Sequence, residues 1–139
     1  MSTFQLEIIT PEAIAYTDTV DMVVVPSQMG NLGILHNHVP LFAELTHGEL
    51  KIKKGQEEYF LAIGGGYVEV TKEKVMILVT RAVKSTELNE AEILRAKKEA
   101  QEALKQKPIG EALISARAVL RQSLVDLKIL QRRKKWVTH

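Results

Sequence analysis

Along residues 50–53 apolar and basic side chains alternate, Leu50 and Ile52 against Lys51 and Lys53. That is the period of a strand with one buried and one wet face. Runs rich in β-branched and aromatic residues at 4–9, 20–25, 49–53, 58–63, 67–71 and 74–79 predict further strands. Lys54-Gly55-Gln56 and Thr71-Lys72-Glu73 have the chemistry of hairpin turns. Many short strands with no helical interval predict an antiparallel sandwich or barrel.

The period changes beyond Thr86. Ala91, Ala96, Ala100 and Ala103 with Leu88, Leu94 and Leu104 recur at spacings of three and four, one face of a helix. Asn89 is a good N-cap, and Glu92 falls at the third helical position of a capping box. Pro108 and Gly110 then force a reversal. Beyond them Leu113, Ala116, Leu120, Leu124, Leu127 and Leu130 or Gln131 form a second stripe. Two amphipathic helices joined by a short turn predict an antiparallel helical hairpin. Its alanine-rich face buries little area, so at ~25 cal/mol per Å² its docking onto the β module is expected to be modest. Such a pair can move between two surfaces.

Composition places a boundary between these patterns. All six Phe and Tyr residues and seven of the eight glycines precede residue 68. Residues 1–84 carry 7 Lys and Arg against 10 Asp and Glu, while residues 85–139 carry 12 against 7. The expected organisation is a β-sandwich domain at 1–84 and a helical domain at 85–139. The overall charge of +2 selects no partner. No apolar run approaches the roughly 20 residues of a membrane span, and residues 1–10 lack the basic start and apolar block of a signal peptide. With no cysteine, disulfides, thiol catalysis and Cys-ligated zinc are excluded. A soluble cytoplasmic protein is the default expectation.

Candidate chemistry is sparse. His36, His38 and His47 lie close in sequence, but no carboxylate stands at a recognisable ligand spacing, so no metal is expected. Gly64-Gly65-Gly66 is followed by the strand-like Tyr67-Val68-Glu69-Val70 and not by a helix with Lys and Ser or Thr. Close backbone approach or a bulge at a strand crossing therefore explains the triplet better than a phosphate cradle. None of Ser27, Ser85, Ser115 and Ser123 lies in a nucleophile-elbow context. Arg117 and Arg121 share a helix face, with Arg95 on the preceding helix. Such a set can clamp phosphates or be a solvated basic face. The basic run 132–135, ending at Trp136, can meet nucleic acid, anionic lipid or an acidic protein surface, or simply confer solubility.

Residues 28–42, Gln-Met-Gly-Asn-Leu-Gly-Ile-Leu-His-Asn-His-Val-Pro-Leu-Phe, carry the most specific signal. Gly30 and Gly33 suit a tight reversal with positive φ, and Pro40 blocks a helix. The segment reads as a two-turn loop holding apolar groups that a free surface would not expose. It resembles the signature loop of the ε subunit of F-type ATP synthases, roughly G-x-L-G-I-L-x-x-H-x-P-L. The 63–70 run, Ile-Gly-Gly-Gly-Tyr-Val-Glu-Val, resembles that family's second landmark, a Gly-Gly strand entry. With the helical hairpin following in order, the resemblance spans nearly the whole chain.

The resemblance implies a β-sandwich of about ten strands followed by two helices, in a non-catalytic, cofactor-free subunit of the rotor's central stalk. It implies docking on the γ subunit and the polar loops of the c-ring, at the cytoplasmic face of the membrane without insertion. The hairpin would lie on the β domain or extend along γ toward acidic β-subunit segments, near α, where it hinders ATP hydrolysis. Met29, Asn31, Leu32, Ile34 and His38 are the expected rotor-interface residues; Asn31 stands where some relatives carry an acid, so no ion pair is expected there. Some family members bind ATP in the hairpin through Ile/Leu-Asp-x-x-Arg-Ala on the first helix and arginines four apart on the second. Arg117 and Arg121 fit the second part. On the first helix, one register matches Arg95-Ala96 but sets Ala91-Glu92 where Ile/Leu-Asp should be. The other matches Leu88 but sets Asn89 and Glu92 at the Asp and Arg positions. Arg95, Arg117 and Arg121 are thus expected to contact a nucleotide weakly or an acidic partner. The rival from another class is a stand-alone module whose basic hairpin grips nucleic acid, which leaves the apolar 28–42 segment unexplained. A small enzyme using the Gly64–Gly66 turn lacks residues to do chemistry.

Overall fold

The computed structural model describes the backbone of residues 2–137 and side chains as far as residue 132. It divides into two compact units, residues 1–84 and 85–139.

The first unit is built from ten strands: β1 (Phe4–Ile9), β2 (Ile14–Val20), β3 (Met22–Ser27), β4 (Gly30–Leu35), β5 (Leu41–Leu45), β6 (Gly48–Lys54), β7 (Glu57–Ile63), β8 (Gly66–Val70), β9 (Lys74–Val79) and β10 (Ala82–Lys84). They pair in the order β10-β7-β6-β3-β5-β8-β9-β1-β2, with β4 added beside β3. The sheet folds over where Ser27 of β3 meets Leu45 of β5, giving the expected sandwich. Pairing is antiparallel except between β1 and β9, which run parallel. Period-2 alternation sends Leu6, Ile8, Val23, Val25, Leu50, Ile52, Val68 and Ile77 into one core. The strands β1 and β9 occupy the residues that the sequence pattern marks. β2, β4, β5 and β10 do not stand out in it, because polar residues or glycines interrupt their apolar alternation.

The 28–42 segment is correspondingly less loop-like than expected. Its first part is a hairpin: β3 and β4 pair from Met22↔Leu35 to Ser27↔Gly30 around the two-residue turn Gln28-Met29. Gly30 holds the positive φ of +108°, whereas Gly33 needs none. The Gly64–Gly66 triplet is a place of close backbone approach: a Cβ on Gly66 would lie 1.9 Å from the Leu78 carbonyl oxygen of β9.

The second unit has a short 3-10 turn at Ser85–Glu87, then α1 (Glu90–Lys105) and α2 (Gly110–Val137). The Asn89 Oδ1 accepts from the Glu92 backbone N–H at 3.1 Å, so the N-cap forms as its sequence indicates. The two helices pack on each other as a hairpin. Their buried stripes differ in part from the expected ones. On α1 Ile93 and Ala100 are buried while Ala91, Leu94 and Ala103 are exposed; on α2 Ser123 and Asp126 are buried while Leu124 is exposed.

Candidate interaction surfaces

Residues of β5, β8, β9 and β1 that alternate away from the core form a surface of their own. The strand registers line up Glu44, Tyr67, Leu78 and Ile9 in one row across the four strands. The next row holds Phe42, Glu69, Met76 and Glu7. Phe42 is 64% exposed, and Tyr67 and Leu78 are also exposed. Phe42 and Tyr67 are diagonal cross-strand neighbours whose rings stack at 5.3 Å between centroids, 22° between planes, within the preferred aromatic range. Beside them a shallow, mostly apolar groove of about 410 Å³ is lined by Ile9, Pro11, Gly65, Gly66, Tyr67 and Leu78. Exposed apolar groups with glutamates beside and between them are the make-up of a protein-binding surface. The Lys74 ammonium pairs with Glu7 at 2.8 Å, and this bond holds the lysine pKa above its ordinary value.

Met29, Asn31, Leu32, Ile34 and His38 do not form one surface. Met29 caps the β3–β4 turn and is 98% exposed, and Asn31 is exposed beside it. Leu32 is half-buried and packs on the core. Ile34 is 0% exposed; its place on β4 points it inward, so it is a core residue and not an interface residue. The half-buried His38 holds its ring Nδ1 2.8 Å from the Val39 carbonyl oxygen.

Arg95 on α1 and Arg117 and Arg121 on α2 are exposed. Ile114 and Leu124, also exposed, alternate with the two α2 arginines at spacings of three and four, so one side of α2 is both basic and apolar. Lys128 and Arg132 are exposed further along the helix, and the rest of the basic run, from Arg133 to Trp136, lies outside the described side chains. Among the described residues no three His, Asp or Glu side chains converge as a metal site would require.

Sequence reasoning missed the Tyr67–Leu78–Ile9 row. The signal was available in Tyr67-Val68-Glu69-Val70, which alternates cleanly. In β9 it was hidden, because Val75, Met76, Ile77, Leu78 and Val79 are apolar on both faces. Only pairing with β8 and β1 tells which side of β9 meets solvent.

Comparisons with known proteins bear on both units. The family described as "ATP synthase, Delta/Epsilon chain, beta-sandwich domain" matches residues 3–85. A protein named ATP synthase epsilon chain from Dehalococcoides mccartyi is 37% identical over 136 residues, covering 97% of each chain. One of the same name from Laribacter hongkongensis is 36% identical, covering 94% of each. Among solved structures, a chain in the Euglena gracilis mitochondrial ATP synthase (OSCP/F1/c-ring) shares the fold with a TM-score of 0.69. It is 21% identical, with 99% of this chain and 82% of that chain covered. A chain of the Tetrahymena thermophila mitochondrial ATP synthase central stalk and c-ring has a TM-score of 0.56 at 15% identity, covering 91% and 96%. With its sandwich matched by the family model and its whole length matched by named relatives, this chain belongs to the family of ATP synthase epsilon chains.

Proposed function

We propose that this chain works as a non-catalytic subunit of the rotary ATP synthase. Its sandwich docks on γ and the c-ring, and its hairpin restrains ATP hydrolysis by contact with acidic segments of the β subunits. Membership in the epsilon-chain family supports the complex. The observation that carries the docking role is the outward face that holds Phe42, Tyr67 and Leu78, since exposed aromatic and aliphatic groups beside a groove gain nothing on a free chain. No described helix is long and apolar enough to cross a membrane, which fits association with the membrane through the complex.

The hairpin reading rests on charge. Exposed Arg117, Arg121 and Lys128 on α2 would be drawn to an acidic surface with a strength that salt reduces. Ile114 and Leu124 on the same side favour a protein partner over nucleic acid, which rewards an unbroken basic stripe. Removing residues 85–139 tests this. Hydrolysis by the assembled complex rises several-fold and synthesis stays largely intact; unchanged hydrolysis contradicts the restraining role.

A further inference from the structure

The face that holds Phe42, Tyr67 and Leu78 is unbalanced in charge. Alternation away from the core puts Glu44, Glu69, Glu7 and Lys74 on it. Its lysine is taken by Glu7, at 2.8 Å. Glu44 accepts from the neutral Gln28 Nε2 at 3.1 Å, and no ion pair among the described residues reaches Glu44 or Glu69. Both are exposed. Two neighbouring carboxylates repel each other, a cost that an arriving cation removes.

Their placement is a checkerboard. Across the β5–β8 pair Glu44 stands opposite Tyr67, and Phe42 stands opposite Glu69. The stacked rings occupy one diagonal and the acids the other, so a cation drawn to the acids also meets the rings. Leu78 and Ile9 continue the Tyr67 row without charge. One end of the face therefore favours positive charge and the other apolar contact. Backbone pairing narrows the shape of what covers it. β8, β9 and β1 each pair on both sides, so their main chains offer nothing to an added strand. A segment lying on this face satisfies its own backbone, as a helix does.

We propose that this face takes a basic amphipathic helix of the docking partner, with Lys or Arg one turn apart on Glu44 and Glu69 and aliphatic residues over Tyr67, Leu78 and Ile9. Side chains three or four residues apart are neighbours on a helix. Diagonal positions on paired strands lie about 7–8 Å apart, within reach of two such cations. The inference rests on the docking role proposed above and names the chemistry that fills the docking face.

Recovery of the complex with the tagged full chain from its native membranes tests the inference. Glu44→Gln with Glu69→Gln keeps the side-chain shapes and removes both charges. That variant keeps the wild-type denaturation midpoint and recovers about tenfold less of its partner subunits at low salt. It also loses most of the salt sensitivity that recovery with the wild-type chain shows. Wild-type recovery with unchanged salt sensitivity overturns the basic partner and leaves the docking role standing. A photo-crosslinking phenylalanine analogue in place of Met76, which lies between Glu69 and Glu7 on this face, captures the covering segment for sequencing. The expected segment belongs to another subunit and carries apolar residues three and four apart with Lys or Arg between them. Capture of an acidic or extended segment, of α2, or of a second copy overturns the proposed occupant. Recovery of the wild-type chain without any partner overturns the docking role itself.

Discussion

Ile34 and Phe42 come from one apolar segment and face opposite surroundings, the first sealed in the core and the second 64% exposed. Replacing Ile34 by Ala leaves a cavity and costs about 2–5 kcal/mol of stability, read as a shift of the denaturation midpoint. Replacing it by Asp buries an unpaired charge and prevents folding. Phe42→Asp with Leu78→Asp leaves stability within about 1 kcal/mol but abolishes recovery of γ. Normal recovery of that variant would show the outward face to be idle surface. The Asp18 carboxyl is held below the ordinary carboxylate range by its hydrogen bonds from Lys54 and the Thr19 backbone. A depressed folded-state pKa stabilises above the unfolded value, and that stability is lost as pH falls through the folded value. Asp18→Asn therefore lowers the denaturation midpoint at pH 7, and the gap to the parent closes on acidification to about pH 2. Both side chains are largely exposed, so the effect is small and shrinks with salt.

At the scale of elements, strands with clean alternation and capped helices were legible in the sequence. The pairs Leu50/Ile52 and Val68/Val70 alternate with polar residues and emerge as core. Asn89 caps α1, and replacing it by Ala should cost about 1 kcal/mol and fray the first turn, visible as faster exchange at Glu92. β4 was not legible as a strand, since Gly30, Asn31 and Gly33 all oppose strand propensity and only pairing with β3 overrides it. The α2 stripe was read around Leu124 because leucine outranks serine and aspartate in any hydrophobic pattern. The helix instead buries Ser123, whose Oγ donates to the Val119 carbonyl at 2.8 Å, and Asp126, 2% exposed. Satisfied polar groups of this kind carry no periodic signal. Reversing Arg117 and Arg121 to Glu should relieve the restraint on hydrolysis nearly as far as removing the hairpin does. ATP should bind the isolated chain no tighter than ~1 mM by calorimetry, because neither first-helix register supplies the full motif; a micromolar curve would contradict this.

At the scale of the whole molecule, the family was legible from the 28–42 and 63–70 motifs, and the order of the two units followed from composition. Which residues meet partners was only partly legible. Surfaces such as Tyr67–Leu78–Ile9 are assembled by strands distant in sequence, and a linear pattern does not record their adjacency. The core of the first unit is built from its own strands, so a chain ending at Lys84 should unfold cooperatively and still recover γ. An aggregated product would place the boundary elsewhere. The central claim, that this chain is a docked stalk subunit, is tested most directly by recovering the tagged full chain from its native membranes and weighing what accompanies it. The account predicts γ, the catalytic subunits and the c-ring in fixed proportion to the chain, and loss of all of them with the Phe42→Asp, Leu78→Asp variant. Recovery of the wild-type chain alone would contradict it.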